Sequence, residues 1–304
     1  MLSYIHSYHA GNHADILKHL TITLILESLC KKEKPFTVFD THSGSGIYDL
    51  DDSRLLRTGE AASGIEKLIS FIKKNKDDNS ENGNLKNLLE TGKKYLETAE
   101  KYYDEGKYPG SPLVENEMLR TGDEQILSEL HPTAFEELEF CFYSRKKTQN
   151  LKIQPKIHKR DGYEMLKALT PPKIKRGLAV IDPSFEDASD YLKCSKTISE
   201  VHKKWPAGII ALWYPILTRK TFELENMKEA ISANVDSTAN EPKILDIQLE
   251  VKSPEETEEL SSMYGSGMFI VNFPYELDKK MEAALSALSE ILGENKGNWS
   301  VNKI

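Results

Sequence analysis

A carboxylate, a proline and an aromatic ring stand at Asp182, Pro183 and Phe185, directly behind the apolar run GLAVI at 177–181. A run without polar alternation predicts a strand buried on both faces. Pro183 cannot donate to a ladder, so the strand ends at Asp182. A parallel strand that stops there presents the carboxylate and the ring at the carboxyl edge of its sheet, where open α/β sheets bind ligands. The plain alternative is a turn, which Asp-Pro commonly opens.

Two further groups could do chemistry. The run PFTVFD (35–40) reads as a strand that ends in an acid and passes into Thr41-His42-Ser43-Gly44-Ser45-Gly46. Glycines at such a turn let a ligand reach backbone N–H groups that side chains would cover; a glycine hairpin is the alternative. Near the N-terminus, His6, His9, His13 and His19 crowd together with Tyr4, Tyr8 and Lys18. Their spacing could set two imidazoles on one helical face, but no companion glutamate motif of a zinc enzyme is present. We therefore expect no metal, and read these residues as the lining of a substrate pocket.

Composition narrows the class. The chain has 304 residues, 39% hydrophobic and 29% charged, enough for one large α/β domain or two small ones. No apolar run approaches the roughly 18 residues of a membrane span, and no signal-peptide pattern opens the chain. Cys30, Cys141 and Cys194 match no metal spacing and read as free thiols, so a cytoplasmic protein is expected. The net charge of −8 argues against a general nucleic-acid coat. Basic residues nevertheless gather between Arg145 and Arg176, a stretch that could contact phosphate or simply be a solvated surface.

The elements that must position these groups follow from periodicity. A helix begins near Asn12 and carries Lys18 and His19. Residues 51–107 show apolar spacing of three and four with polar faces, and read as an inserted helical subdomain of two or three helices. The main domain is then 1–50 and 108–304. Within it, strands at 125–130, 152–158, 177–182 and 208–213 alternate with helices at 113–120, 132–142, 163–169, 187–204 and 218–234. Strands at 243–251 and 267–272 follow, joined by a loop. Such alternation predicts an α/β fold with a mostly parallel, Rossmann-like, seven-stranded sheet and an antiparallel hairpin at one edge.

Asp-Pro-Ser-Phe resembles the Asp/Asn-Pro-Pro-Tyr/Phe motif of enzymes that methylate exocyclic amines with S-adenosylmethionine. The glycine turn resembles their first nucleotide-binding motif, with His42 where the first glycine usually stands. The N-terminal run MLSY-x-HS-aromatic-HAGNHAD-x-LKH, then FD-TH-x-G-x-G-x-Y, YPGSPL, ELHP, RGL-x-x-IDP and ALWYP, closely resembles the RlmJ-type enzymes over essentially the whole chain. These methylate N6 of an adenine in large-subunit (23S) ribosomal RNA.

The resemblance implies cofactor contacts at His19, His42, Ser111, Glu129, Asp161 with Gly162, and Asp182, to which the glycine turn adds Gly44. It implies that Glu129 accepts the ribose hydroxyls and Asp161 the cofactor's adenine amino group. Asp182 and the Pro183 carbonyl would accept from the target amine, whose lone pair is otherwise delocalised, and Phe185 would stack on the extruded base. Tyr4, His6 and Lys18 would meet substrate RNA stripped of protein. The departure is Ser184 in place of the motif's second proline, which predicts a less stiff turn. The competing readings are a DNA adenine-N6 methyltransferase, a non-catalytic cofactor- or RNA-binding protein, and a metal hydrolase built on residues 6–19.

Overall fold

A helix capped by Asn12 runs through the middle of the molecule. A computed structural model describes residues 6–75, 83–148, 151–235, 243–253, 263–294 and 296–304. The Asn12 side chain accepts from the Asp15 N–H at 2.9 Å and opens α1 (His13–Cys30), satisfying one of the amides a helix start leaves bare. Every residue of α1 from Ala14 to Leu26 is buried. It is thus packed all round, where a surface helix would bury one stripe. Thr21 and Thr23 answer that burial by donating to the Leu17 and His19 carbonyls at 2.8 Å.

β1 (Thr37–Asp40) and β2 (Ile47–Asp49) come next. Between β2 and the next strand lie α2 (Ser53–Thr58), a π-helical turn Ala62–Glu66, α3 (Lys67–Asn75), α4 (Gly83–Thr91) and α5 (Lys93–Tyr103). β3 (Lys107–Pro109) then pairs antiparallel with β2, Ile47 opposite Pro109 and Asp49 opposite Lys107. This clasp gathers the two ends of the helical segment. α6 (Ser111–Met118), β4 (Glu124–Glu129), α7 (Pro132–Lys147), β5 (Lys156–Lys159), α8 (Gly162–Leu169), β6 (Gly177–Ile181), α9 (Ser189–Lys204) and β7 (Ile209–Leu217) alternate as expected. A 3₁₀ turn, Thr218–Lys220, leads into α10 (Thr221–Ser232), β8 (Ile244–Glu250), β9 (Met263–Val271), α11 (Leu277–Leu292) and β10 (Asn298–Lys303).

The main sheet has the order β10-β8-β9-β7-β6-β1-β4-β5. Strands β7, β6, β1, β4 and β5 are parallel, and β9, β8 and β10 add antiparallel pairs. The sheet is therefore mostly parallel, as expected, but has eight strands where seven were expected. The extra one is β10, which with α11 occupies the C-terminal stretch left unassigned from sequence. The antiparallel strands lie at one edge, as expected: β9 stands between β7 and β8, and β10 is added outside β8. Two strand bounds move for visible reasons. β5 begins at Lys156 because the Asn116 side chain accepts from the Lys152 N–H and donates to the Ile153 carbonyl, holding that stretch off the sheet. β7 runs on to Leu217 because β9 pairs with it that far, across a register shift at Ile216.

All five residues of β6 are buried, and they alternate between two cores. Leu178 and Val180 join a cluster with α1, α11 and residues of the helical segment such as Leu68, Leu88 and Tyr95. Ala179 and Ile181 join Phe39, Cys194 and Trp205 on the other face. Fully burying an aliphatic side chain of this kind contributes about 1.5–3 kcal/mol. The strand is thereby fixed, and its end at Asp182 is placed with it.

Candidate active site

The carboxyl ends of β1, β4, β6 and β7 border a cavity of about 580 Å³, within the usual range for small-molecule sites. Asp182 leaves β6 into this cavity, with Pro183 behind it. Phe185 takes φ +54°, a strained backbone for an aromatic residue. Its ring is 4% exposed, with the Tyr191 ring at 4.7 Å and the Trp213 ring at 6.0 Å. Ser184 Oγ accepts weakly from the Glu186 N–H at 3.5 Å, a local tie where the motif it resembles has a second proline.

Charge reaches Asp182 from α1. Lys18 is 4% exposed; its Nζ donates to Asp182 Oδ2 at 2.5 Å and pairs with Asp15 Oδ1 at 2.8 Å. Asp15 Oδ2 also accepts from the Gly11 N–H at 2.9 Å and meets His6 Nε2 at 3.0 Å. Burial alone would raise the Asp15 carboxyl, but His6 and Lys18 beside it hold it well below the carboxylate range. Burial likewise opposes the charge on Lys18, and Asp15 and Asp182 overcome it and push the ammonium well above its usual value.

The arm at 6–12 is held by the helical segment. Glu60 takes His9 Nδ1 at 2.7 Å and Asn12 Nδ2 at 2.8 Å, and the hydrogen bond to Glu60 raises His9 despite its burial. Thr58 Oγ1 donates to the Tyr8 carbonyl at 2.7 Å and the Ile65 N–H to the Gly11 carbonyl at 2.8 Å. Gly64 makes this approach possible, since a Cβ there would lie 2.1 Å from the Gly11 oxygen.

The opposite wall is built on the glycine turn. The Gly44 N–H donates to Glu129 Oε2 at 2.8 Å and the His131 N–H to Glu129 Oε1 at 2.7 Å, at the end of β4. Gly44 has φ +59°, and a Cβ there would sit 2.2 Å from the Tyr48 hydroxyl. Thr41 Oγ1 donates to the Val180 carbonyl at 3.0 Å, so the proton in its 2.8 Å contact with His42 belongs to Nδ1. His42 Nε2 is then an acceptor, and burial keeps the ring neutral by lowering its pKa. The His42 ring also meets Tyr163 edge-on at 5.0 Å. Asp161 caps α8 by accepting from the Glu164 N–H at 2.9 Å. Gly162 packs so tightly that a Cβ would lie 1.9 Å from the Thr41 carbonyl oxygen.

Behind these groups lie further buried polar residues. Ser111 Oγ donates to Asp40 Oδ2 at 2.7 Å, and Asp40 is fully buried. Burial raises its carboxyl to about 6, against the hydrogen bond from Ser111. Glu115 is also fully buried and raised well above the carboxylate range by burial and then by Asp40. His19 Nδ1 contacts the Tyr108 hydroxyl at 2.9 Å, which contacts that of Tyr95 at 3.3 Å. Burial lowers His19 to about 3, so it is neutral, and its buried Nε2 has no partner among the described residues.

Of the residues singled out from sequence, His6, Lys18, His19, His42, Gly44 and Ser111 line this one cavity, as do Glu129, Asp161, Gly162, Asp182, Pro183 and Phe185. Tyr4 lies outside the described residues. Asp15, Tyr48, Glu60 and Trp213 line it too and were not anticipated. The lysines and arginines of 145–176 do not line it, although Asp161 and Gly162 of the same stretch do. The cations that do are Lys18, Arg54, Lys193 and Arg219. Among the described residues no group of His, Cys, Asp and Glu is arranged to hold a metal.

Comparison with known proteins gives a consistent result. The family model described as ribosomal RNA large subunit methyltransferase D, RlmJ, matches residues 33–304. Ribosomal RNA large subunit methyltransferase J of Haemophilus influenzae is 37% identical over 309 residues, covering 100% of this chain and 99% of the relative. Its Escherichia coli K12 counterpart is 36% identical over 308 residues, with the same coverage. A crystal structure of a Legionella pneumophila protein superposes with a TM-score of 0.79 at 28% identity, covering 97% of this chain and 98% of that one.

Proposed function

The chain belongs to the RlmJ family of ribosomal RNA large subunit methyltransferases, and from that premise we propose that it methylates N6 of an adenine in 23S ribosomal RNA with S-adenosylmethionine. The observation that carries the reading is the position of Asp182. It leaves a fully buried strand into a cavity with aromatic rings on one side and a glycine cradle with an acid on the other.

The cradle fits the cofactor. Gly44 and Gly162 let the turns that form it close up on Tyr48 and Thr41, where a Cβ would collide, Glu129 offers two acceptor oxygens to vicinal hydroxyls, and His19 Nε2 is buried without a partner among the described residues. Asp161 accepts from an adenine amino group, while Ser111 and His19 meet the methionine end. When bound, S-adenosylmethionine supplies an electrophilic sulfonium methyl group. The chain's own residues prepare the amine. Lys18 holds Oδ2 of Asp182, leaving Oδ1 and the Pro183 carbonyl to accept from the target N–H groups. This returns electron density to the nitrogen and fixes it in line for attack, where alignment supplies a large share of the acceleration. Phe185, with Trp213 beside it, stacks on the base, worth about 1–3 kcal/mol. Tyr4, His6 and Lys18 meet the RNA.

An unpaired adenine is reached without breaking a duplex, so the substrate is RNA not yet covered by protein. Residues 51–107 act as an inserted helical subdomain that holds the arm carrying His6 over the cavity. Among the described residues no helix is long and apolar enough to cross a membrane, and we place the protein in the cytoplasm with its substrate. The test is transfer of labelled methyl to protein-free large-subunit RNA by native and Asp182→Ala protein, with cofactor binding measured in parallel. Incorporation at one adenine that Asp182→Ala loses on the order of 10²-fold or more supports the reading. Equal incorporation by both proteins, or none by native protein that binds cofactor, refutes it.

A further inference from the structure

One helix borders two cavities. Thr133, Ala134 and Glu137 of α7 line the cavity of the candidate site, while Phe140, Ser144 and Arg145 line a second one of about 550 Å³. Steps of three and four residues set these positions along one face of the helix. The two cavities share Ser45, Tyr48, Arg54 and Glu137, so the second continues the first across the surface.

The surface beside it combines rings and cations. Phe140 is 70% exposed and Tyr143 55%, three residues apart on α7. The helix ends in Arg145, Lys146 and Lys147, and Lys147 Nζ lies 4.6 Å from the centre of the Tyr143 ring. Two acids of the second cavity are already engaged. Asp52 takes Arg54 Nη2 at 2.6 Å and Glu137 accepts from Ser45 Oγ at 2.5 Å. Aromatic faces flanked by cations hold single-stranded nucleic acid, because every base has a face to stack and every nucleotide a phosphate to neutralise.

We propose that this groove binds the unpaired RNA nucleotides adjoining the target adenine, with a base on Phe140 and phosphates on Arg145, Lys146 and Lys147. The assignment rests on the RNA methyltransferase reading, since the strand in the groove is the one whose adenine enters the first cavity. A protein partner is less well matched, because the apolar surface is confined to two rings and bordered by charge.

The experiment uses native chain, Phe140→Ala and the Lys146→Ala/Lys147→Ala double variant. RNA binding is read by anisotropy of a labelled single-stranded RNA long enough to span both cavities, and methyl transfer is read on protein-free large-subunit RNA. Phe140→Ala is expected to raise the RNA Kd and KM on the order of tenfold, the loss of one stacked base, with cofactor affinity unchanged. The double variant should flatten the salt dependence of log Kd by roughly 0.7 per lysine removed. With an adenine dinucleotide, too short to leave the first cavity, the effect of Phe140→Ala should vanish. Native-like binding of the long RNA by Phe140→Ala, or an equal loss on the dinucleotide, overturns the proposal. So does a dimer of the native chain that Phe140→Ala dissolves while RNA binding is untouched. If no RNA is methylated yet binding still depends on Phe140, the groove stands and the catalytic reading falls.

Discussion

Replacing Asp15 with Asn tests whether the arm and α1 position Asp182 or merely surround it. Asp15 accepts from Gly11, His6 and Lys18, and only 2% of it is exposed. An amide has one acceptor oxygen and turns a donor toward these donors, so at least one of the three loses its partner. A hydrogen bond to a charged group contributes about 1.5–3 kcal/mol, and breaking a buried ion pair costs about 3–5 kcal/mol. Lys18 keeps Asp182 at 2.5 Å, which places the loss near the lower end, about 3 kcal/mol. At about 2 °C per kcal/mol for a chain of this size, the melting temperature should fall by about 6 °C. The Asp15 carboxyl is held well below its usual range, so its contribution is complete at neutral pH and lost as acid protonates it. The gap between native and variant should therefore stay constant down to about pH 4 and close below that. Well below the melting point, turnover should fall on the order of 10²-fold with cofactor affinity unchanged, because only the target side is displaced. Calorimetry and single-turnover methyl transfer on one preparation read both effects. Unchanged melting would refute the energetics; lowered melting with native turnover would refute the positioning role.

Further expectations follow from the opposite wall. Tyr108→Phe keeps the ring against His19 but removes the hydroxyl that ties it to Tyr95; cofactor Kd should rise about tenfold, the loss of roughly one hydrogen bond, and calorimetric titration showing native affinity would count against it. Gly162→Ala drives a Cβ to 1.9 Å from the Thr41 oxygen, so cofactor binding should be lost, while Gly83→Ala, which meets nothing within 4 Å, should bind normally. Asp40 is raised to about 6 in the fold, so the folded state holds its proton more tightly and stability declines as pH rises from about 4 to 6, by up to about 3 kcal/mol. Asp40→Asn should flatten that decline and melt above the native chain at pH 8 in scanning calorimetry; a lower melting point there would refute it. Ser184→Pro should raise the single-turnover rate severalfold without changing cofactor Kd, and an unchanged or slower rate would show that the Ser184 turn is already stiff.

The parts of the site legible in sequence were those whose signal is local. β6 announced itself by five apolar residues in a row and its end by Asp182-Pro183, and Asn12 marked the start of α1. Asp15 carried no such signal, because its role depends on Gly11, His6 and Lys18 converging on one carboxylate. Trp213 was read as the last residue of its strand; pairing with β9 makes it mid-strand and puts it in the cavity wall. The basic stretch 145–176 adjoins β6 along the chain but not across the sheet, since β1 and β4 intervene. α11 had a helical pattern that could have been read. β10 had a briefer strand pattern: Trp299 and Val301 alternate with polar residues in NWSVNK, a half-buried strand that pairs with β8.

The burial of α1 on all sides has a consequence for how the protein is made. Synthesis delivers α1 well before these partners: Lys18 reaches Asp182 only 164 residues later, and Thr21 meets Met281 only 260 residues later. α5 and α6 can pack on this helix earlier, but β6, β9 and α11 close on it only over long loops, which slows the step that completes its burial. The nascent chain thus spends most of its synthesis with α1 only partly covered. β9 and α11, which finish that cover, follow the strand that supplies Asp182, so this chain cannot complete its core before it has also made its site.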